Sequence, residues 1–239
     1  MVNASIAQIS FSSGELSRKM RGRFDLPQYA SGAERVDNFI TQTQGVASFR
    51  PGTKFVTPTK DNNPAALHSF TFNDEQSYIL EFTDTVIRIF TNEGILTEAT
   101  QVITGITNAN PAVVTITGHG YSNGDSVIIE SVEGMTEVNG LTFEIANVAA
   151  NTFELVGIDS TSFGTYTSGG TAKKIVEVTS PYAEADLFDL QTAQNADTMY
   201  IAHREYEPKK LTRTGATTWT LTTHAPTALP ITADNRPGA

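Results

Sequence analysis

The side chains that could do chemistry are thinly spread. The chain has 239 residues, four histidines (His68, His119, His203 and His224) and no cysteine. Thiolate metal sites, cysteine nucleophiles, disulfides and iron–sulfur clusters are thereby excluded. No two histidines stand in an HxH or HExxH pattern, the spacings that bring two imidazoles to one metal. His119 lies in the run Gly118-His119-Gly120-Tyr121-Ser122-Asn123-Gly124-Asp125 and reads as a turn residue, and His203 as a packed side chain at a strand end. Carboxylates are plentiful, so a pair such as Glu81 and Asp84 arises by number alone. A glycosidase needs two carboxylates fixed across a cleft, and sequence spacing does not supply that. Neither Gly118-His119-Gly120 nor Ser168-Gly169-Gly170 has the strand-to-helix setting of a phosphate loop. The expectation is a non-enzymatic chain with no catalytic residues, no metal and no cofactor. The polar residues that stand out are Arg21, Arg23, Asp25 and Arg50. They read either as solvated charge of little energetic weight, or as guanidinium forks that pair with a neighbour's carboxylates.

The elements that must carry these residues are mostly strands. Charged residues make up 18% of the chain, too few for a surface of helices. Gln76–Phe82 and Thr85–Thr91 are rich in aromatic and β-branched residues, joined at Thr83-Asp84 and followed by the turn Asn92-Glu93-Gly94 and by Ile95-Leu96-Thr97. This predicts an antiparallel meander, with Tyr78, Leu80 and Phe82 on its more buried face. Residues 102–175 form a compositional island of short strands: Val113–Thr117, Ser126–Glu130, Leu141–Val148, Thr152–Val156 and Thr171–Val178, with a hairpin-type turn at Asn139-Gly140. Spacing of this kind predicts a small β-sandwich or barrel. Thr198–Ala202, Lys210–Arg213 and Thr218–Thr222 are further strands, with a turn at Thr214-Gly215. Two helices are expected. One covers Gly32–Thr41, where Val36, Phe39 and Ile40 share a face. The other covers Pro181–Ala196, with Ala183, Leu187 and Leu190 at helical spacing and Ser180 as its cap. Ala225–Ala239 reads as a loop. The predicted class is mainly β: a discontinuous β-sheet scaffold (1–101 and 176–239) with short helices, interrupted by a small β domain at 102–175.

Charge is uneven. Residues 1–60 hold eight Lys/Arg against four Asp/Glu (+4), residues 61–180 three against fifteen (−12), and residues 181–239 five against seven (−2), for a net −10. An acidic body of this kind disfavours phosphate binding by the whole chain. A basic segment on it suits an edge that meets an acidic neighbour. No basic-plus-apolar leader is visible at the start, and no apolar run approaches the roughly 18–20 residues that span a bilayer.

Two blocks of sequence are distinctive. The first is Phe11-Ser12-Ser13-Gly14-Glu15-Leu16-Ser17, Met20-Arg21-Gly22-Arg23-Phe24-Asp25-Leu26, Tyr29, Asn38-Phe39, Gln44-Gly45 and Arg50-Pro51-Gly52-Thr53-Lys54-Phe55-Val56. The second is Pro181-Tyr182, Glu184-Ala185-Asp186-Leu187, Leu190-Gln191, Ala196-Asp197, Met199-Tyr200-Ile201, His203, Pro208, Lys210-Leu211, Arg213 and Trp219. In this order they resemble the tail nozzle (tail tubular protein B) family of short-tailed bacteriophages. That pattern often has proline where this chain has Arg18, so the turn there is expected to differ. The island, through His119–Asp125, Val138-Asn139-Gly140 and Phe153-Glu154-Leu155, resembles the small β module of phage structural proteins labelled as ubiquitin-activating-enzyme FCCH-like. That likeness carries no ubiquitin chemistry.

The nozzle resemblance implies a virion tail protein assembled in the host cytoplasm, a homohexameric ring below a tail adaptor protein, and passage of double-stranded DNA without sequence-specific binding. It also implies a subunit interface drawn from Phe11, Glu15, Arg21, Arg23, Asp25 and Arg50, and a channel wall that is net negative so that DNA slides. Nozzle proteins are usually far longer, so a shortened member or a piece is expected, with the host-contacting tip elsewhere. The rival expectation is a phage-borne carbohydrate or host-surface binding module, with the island as the binding part; Tyr121 and Phe163 read first as core packing and second as rings that stack on sugars.

Overall fold

A computed structural model describes residues 8–73 and 75–225. The expected loop over Ala225–Ala239 therefore lies, after Ala225, outside the described residues. The chain divides into two compact units, one ending at Phe55 and the other beginning at Val56.

The first unit is held by backbone pairing. Gly14–Glu15 runs parallel to Gly32–Ala33, and Phe39–Thr41 pairs antiparallel with Ala47–Phe49. Short 3-10 turns occupy Arg18–Met20 and Pro27–Ser31. The helix expected over Gly32–Thr41 is not formed. Asn38 adopts a left-handed φ of 61°, which starts a strand at Phe39. A helical face of Val36, Phe39 and Ile40 would need a core to bury against, and the unit offers none; a hairpin satisfies the same residues by pairing.

The second unit contains three antiparallel sheets. The scaffold sheet runs in the order Glu177–Thr179, Val86–Thr91, Ser77–Thr83, Ala66–Thr71, with Gly94–Ile95 also paired to Val86–Thr91. It is the expected meander, and Tyr78, Leu80 and Phe82 are fully buried along it. The C-terminal sheet is a meander of Gln191–Asn195, Thr198–His203, Tyr206–Arg213 and Trp219–Thr223. One core joins these sheets: Phe70, Tyr78, Leu80, Phe82, Ile87 and Ile89 meet Tyr182, Leu187, Met199, Ile201, Leu211 and Trp219. The helix expected over Pro181–Ala196 shrinks to a 3-10 run at Glu184–Asp189, followed directly by a strand. Leu187 and Leu190 are three apart, the spacing that eclipses in a 3-10 turn, and both are buried. Ser180 does not cap this run; its backbone N–H donates to the Thr85 carbonyl, and Ala183 stands at the N-cap.

The third sheet lies between these in sequence. Its order is Gly105–Ile106, Val113–Thr115, Thr152–Leu155, Leu141–Ala146, Ser126–Glu133, Ser168–Lys174, Gln101–Val102. It has a core of its own, with Val114, Ile129, Met135, Ile145, Phe153 and Leu155 fully buried. The barrel alternative fails, because the first and last strands of this order do not pair. Asn139 fixes the hairpin: its amide accepts from Val132 N–H (2.8 Å) and donates to the Val132 carbonyl (2.9 Å). Gly134, at φ +86°, allows a backbone crossing in which a Cβ would stand 2.0 Å from the Thr165 carbonyl oxygen. The single strand expected over Thr171–Val178 is two strands, and the chain passes from the third sheet to the scaffold sheet at Ile175-Val176. Entry and exit lie side by side: Val176 N–H donates to Leu96 O (2.9 Å), Glu98 N–H to Lys174 O (2.7 Å), and Thr97 bridges Ile175.

Candidate assembly surfaces

The six residues expected at a subunit interface all lie in the first unit, where most are engaged locally. Arg21 pairs with Glu34. Arg23 makes a two-pronged contact to Asp25, 2.8 and 2.6 Å. That contact lowers the Asp25 carboxyl pKa and raises that of the Arg23 guanidinium. Both pairs are exposed, so they contribute little to folding. The Glu15 carboxylate accepts from Val36 N–H (3.0 Å), Arg50 Nε donates to Asn38 Oδ1 (2.7 Å), and Phe11 N–H donates to Gly45 O (2.9 Å).

What sets this unit apart is its lack of a core. Among residues 8–55, Gly45 alone is buried. Ile9, Phe24 and Phe49 are 95%, 79% and 80% exposed, and Phe39, Ile40 and Val46 are also exposed. The rings of Phe39 and Phe49 face each other across the hairpin at 4.7 Å, and Phe24 meets Tyr29 at 4.8 Å. Folded segments near this size rarely stand without a staple or a partner, since they bury too little apolar surface. Of these aromatics Phe39 was assigned to a helix face. Phe24 stands in the first distinctive block of sequence, whereas nothing in the local pattern marks Phe49.

The second unit carries a buried row of charge on the outer face of the scaffold sheet. Glu81, Arg88 and Glu177 are cross-strand neighbours in register. Arg88 Nε donates to Glu177 Oε1 at 2.8 Å, and Ser126 Oγ, from the third sheet, donates to the same oxygen at 3.1 Å. Lys60 covers the row: its N–H donates to Glu81 Oε1 (3.3 Å), and its Nζ lies 3.6 Å from Glu177 Oε1 and donates to Ser126 Oγ (3.3 Å). Two acids and two bases thus join the third sheet to the scaffold. A second knot sits at the entry to the third sheet, with Lys174 Nζ 2.7 Å from Glu98 and 3.6 Å from Asp125.

Burial raises the Glu81 pKa, and the nearby Glu177 adds to this, against the Lys60 N–H and the charge of Arg88. A carboxyl raised in the fold stabilises most below its unfolded value, near 4.5. That contribution fades as pH rises through the folded value. Glu81→Gln is therefore expected to gain on the native chain as pH climbs from about 4.5 to 7, with the two converging in acid. Urea midpoints measured across this range check it; a gap that widens on acidification would contradict the sign.

On the same face, next to the charged row, Val56, Pro64, Leu67, Ile79 and Phe90 line an open groove of about 660 Å³. Leu67 is 66% and Ile79 43% exposed.

The remaining residues weighed for chemistry are structural. His119 is buried, with Nδ1 accepting from Tyr121 N–H (3.0 Å) and its ring against Phe153. His68 lies 3.2 Å from Thr192 Oγ1, its pKa lowered by burial. His203 Nδ1 accepts from Glu205 N–H, and His224 sits edge-on to Tyr200. Tyr121 offers no open ring face for a sugar: it is buried against His119 and Phe153, and burial, helped by Glu98 and Asp125, pushes its phenol up to about 12. Phe163 packs on the third sheet's core. Among the described residues no group of three or more His, Asp or Glu is placed to hold a metal, and no helix is long and apolar enough to cross a membrane.

Residues 109–175, under a third of the chain, match the family described as the ubiquitin-activating enzyme E1 FCCH domain. The matched stretch covers most of the third sheet and stops where the chain returns to the scaffold.

Proposed function

We propose that the chain is a structural subunit of a phage tail nozzle, one of six identical copies forming a ring around the channel through which DNA is ejected. The observation that carries the assembly reading is the coreless first unit, which leaves Phe24, Phe39, Phe49 and Ile9 in solvent. Apolar side chains in that number on a unit of this size are the mark of a surface completed by a partner. The resemblance of the two sequence blocks makes that partner another copy in a tail ring. In this reading the chain is not an enzyme and holds no cofactor, and the acidic body suits a wall along which a phosphate backbone slides unheld.

Reversing Arg21 and Arg23 to Glu is the direct test. Because their pairs with Glu34 and Asp25 are exposed, the change is expected to leave the unfolding midpoint close to that of the native chain. It is expected to reduce the assembled fraction tenfold or more, read by light scattering after gel filtration and by negative-stain images. A native chain that stays monomeric at every concentration, or rings indifferent to the reversal, would count against the reading.

A further inference from the structure

We propose that the apolar groove on the outer face of the scaffold sheet seats the Phe39–Phe49 hairpin of a second copy of this chain. The inference rests on the ring reading above and names the contact that would build it.

The scaffold sheet's outer face is half covered. Its charged row lies under Lys60 and Ser126, whereas the adjoining row, with Leu67 and Ile79, is open. A face left to solvent on an antiparallel sheet alternates to polar residues, and this one keeps leucine, isoleucine and phenylalanine. Ala66–Thr71 is also an edge strand of the sheet, so the groove is reachable from the side.

The hairpin has the complementary need. Phe39 and Phe49 pair their rings on one face of the hairpin, Ile40 alternates to the other, and nothing in the first unit buries the two rings. Charge favours the match. Residues 8–55 hold seven Lys/Arg against four Asp/Glu (+3), whereas residues 61–180, which contain most of the groove, sum to −12. Opposite net charge steers encounter and disfavours hairpin-on-hairpin pairing. The groove and the hairpin are different patches, so the contact is head-to-tail. Contacts of that class propagate from copy to copy, and they make a ring when the rotation between copies closes.

The absence of native cysteine makes the contact directly readable. A tagged Leu67→Cys chain is mixed with an untagged Phe49→Cys chain, both full length, and oxidised gently. The expected product is a tagged–untagged disulfide at least tenfold above a control that pairs Tyr200→Cys with Phe49→Cys; Tyr200 is surface-accessible on the C-terminal sheet. Rings in the microscope without this cross-link would overturn the groove contact and leave the ring reading intact. Monomers throughout would overturn both. A bond formed only within one chain, in the Leu67→Cys/Phe49→Cys double variant, would give the groove to the chain's own hairpin. A small apolar molecule retained in native mass spectrometry, with no cross-link, would make it a ligand site. Either result refutes the proposal.

Discussion

Arg88→Met is expected to destabilise the second unit by about 3–5 kcal/mol, because it removes the buried guanidinium between the buried Glu81 and the partly buried Glu177. For a chain of this length that corresponds to a fall in melting temperature of roughly 10 °C. The row as a whole is a different matter. Removing two carboxylates and a guanidinium from water is costly, and their attraction offsets that cost only in part. The triple change Glu81→Leu, Arg88→Met, Glu177→Leu is therefore expected to fall within about 1 kcal/mol of the native chain, or above it. Lys60 would then turn its ammonium outward along its methylene stem. The two variants separate a row that is expensive to break from a row that is indispensable. Equal stability of Arg88→Met and the native chain would mean that the row is solvated.

The second large effect is expected at Trp219, the only tryptophan in the chain. It sits on the last described strand with its ring edge-on to Phe70 (4.9 Å) and Tyr78 (5.2 Å). Beside it Arg213 lies over the Phe72 ring at 4.0 Å, and its Nε donates to the Tyr78 hydroxyl at 3.0 Å. This cluster fastens the C-terminal sheet to strands more than a hundred residues earlier. Trp219→Ala is expected to cost about 3–5 kcal/mol, with Trp219→Phe recovering over half because a ring remains in the same contacts. Native fluorescence supplies the reading directly: emission from a buried indole shifts to the red as the two sheets part. A native spectrum that is already red would contradict this packing.

Much of this architecture was visible in the residues. Tyr78, Leu80 and Phe82 alternate, and Asn92-Glu93-Gly94, Asn139-Gly140 and Thr214-Gly215 punctuate strands, so local pattern located most of the second unit's strands. Pattern failed where the deciding contact was distant. Alternation put Glu81 on the less buried face, yet Lys60, 21 residues earlier, donates to it, and Lys60 is itself held by Ser126, 66 residues further along the chain from it; no local signal announces such a cover. Phe39 and Ile40 kept helical spacing with Val36, but with no core to face, pairing won. Leu187 and Leu190 were read as one stripe of a helix, and a spacing of three served a 3-10 turn equally well. The arginines singled out for assembly do lie at the surface, although their nearest carboxylates belong to the same unit.

The side-by-side entry and exit of the third sheet carry a consequence for how such a chain can vary. Leu96 and Val176 are joined by a ladder hydrogen bond, so the two ends of the intervening segment are held about 5 Å apart whatever lies between them. To the scaffold, that segment is a loop on a hairpin. Loop closure grows only logarithmically with length, about 0.6 kcal/mol for each doubling. As far as closure alone is concerned, a domain, a shorter domain or a tight turn is therefore nearly interchangeable at this point, and what a replacement must still supply is the Ser126 hydroxyl's contact with the charged row. The frame fixes the positions of its own walls and leaves the length of what it displays there nearly free of entropic cost.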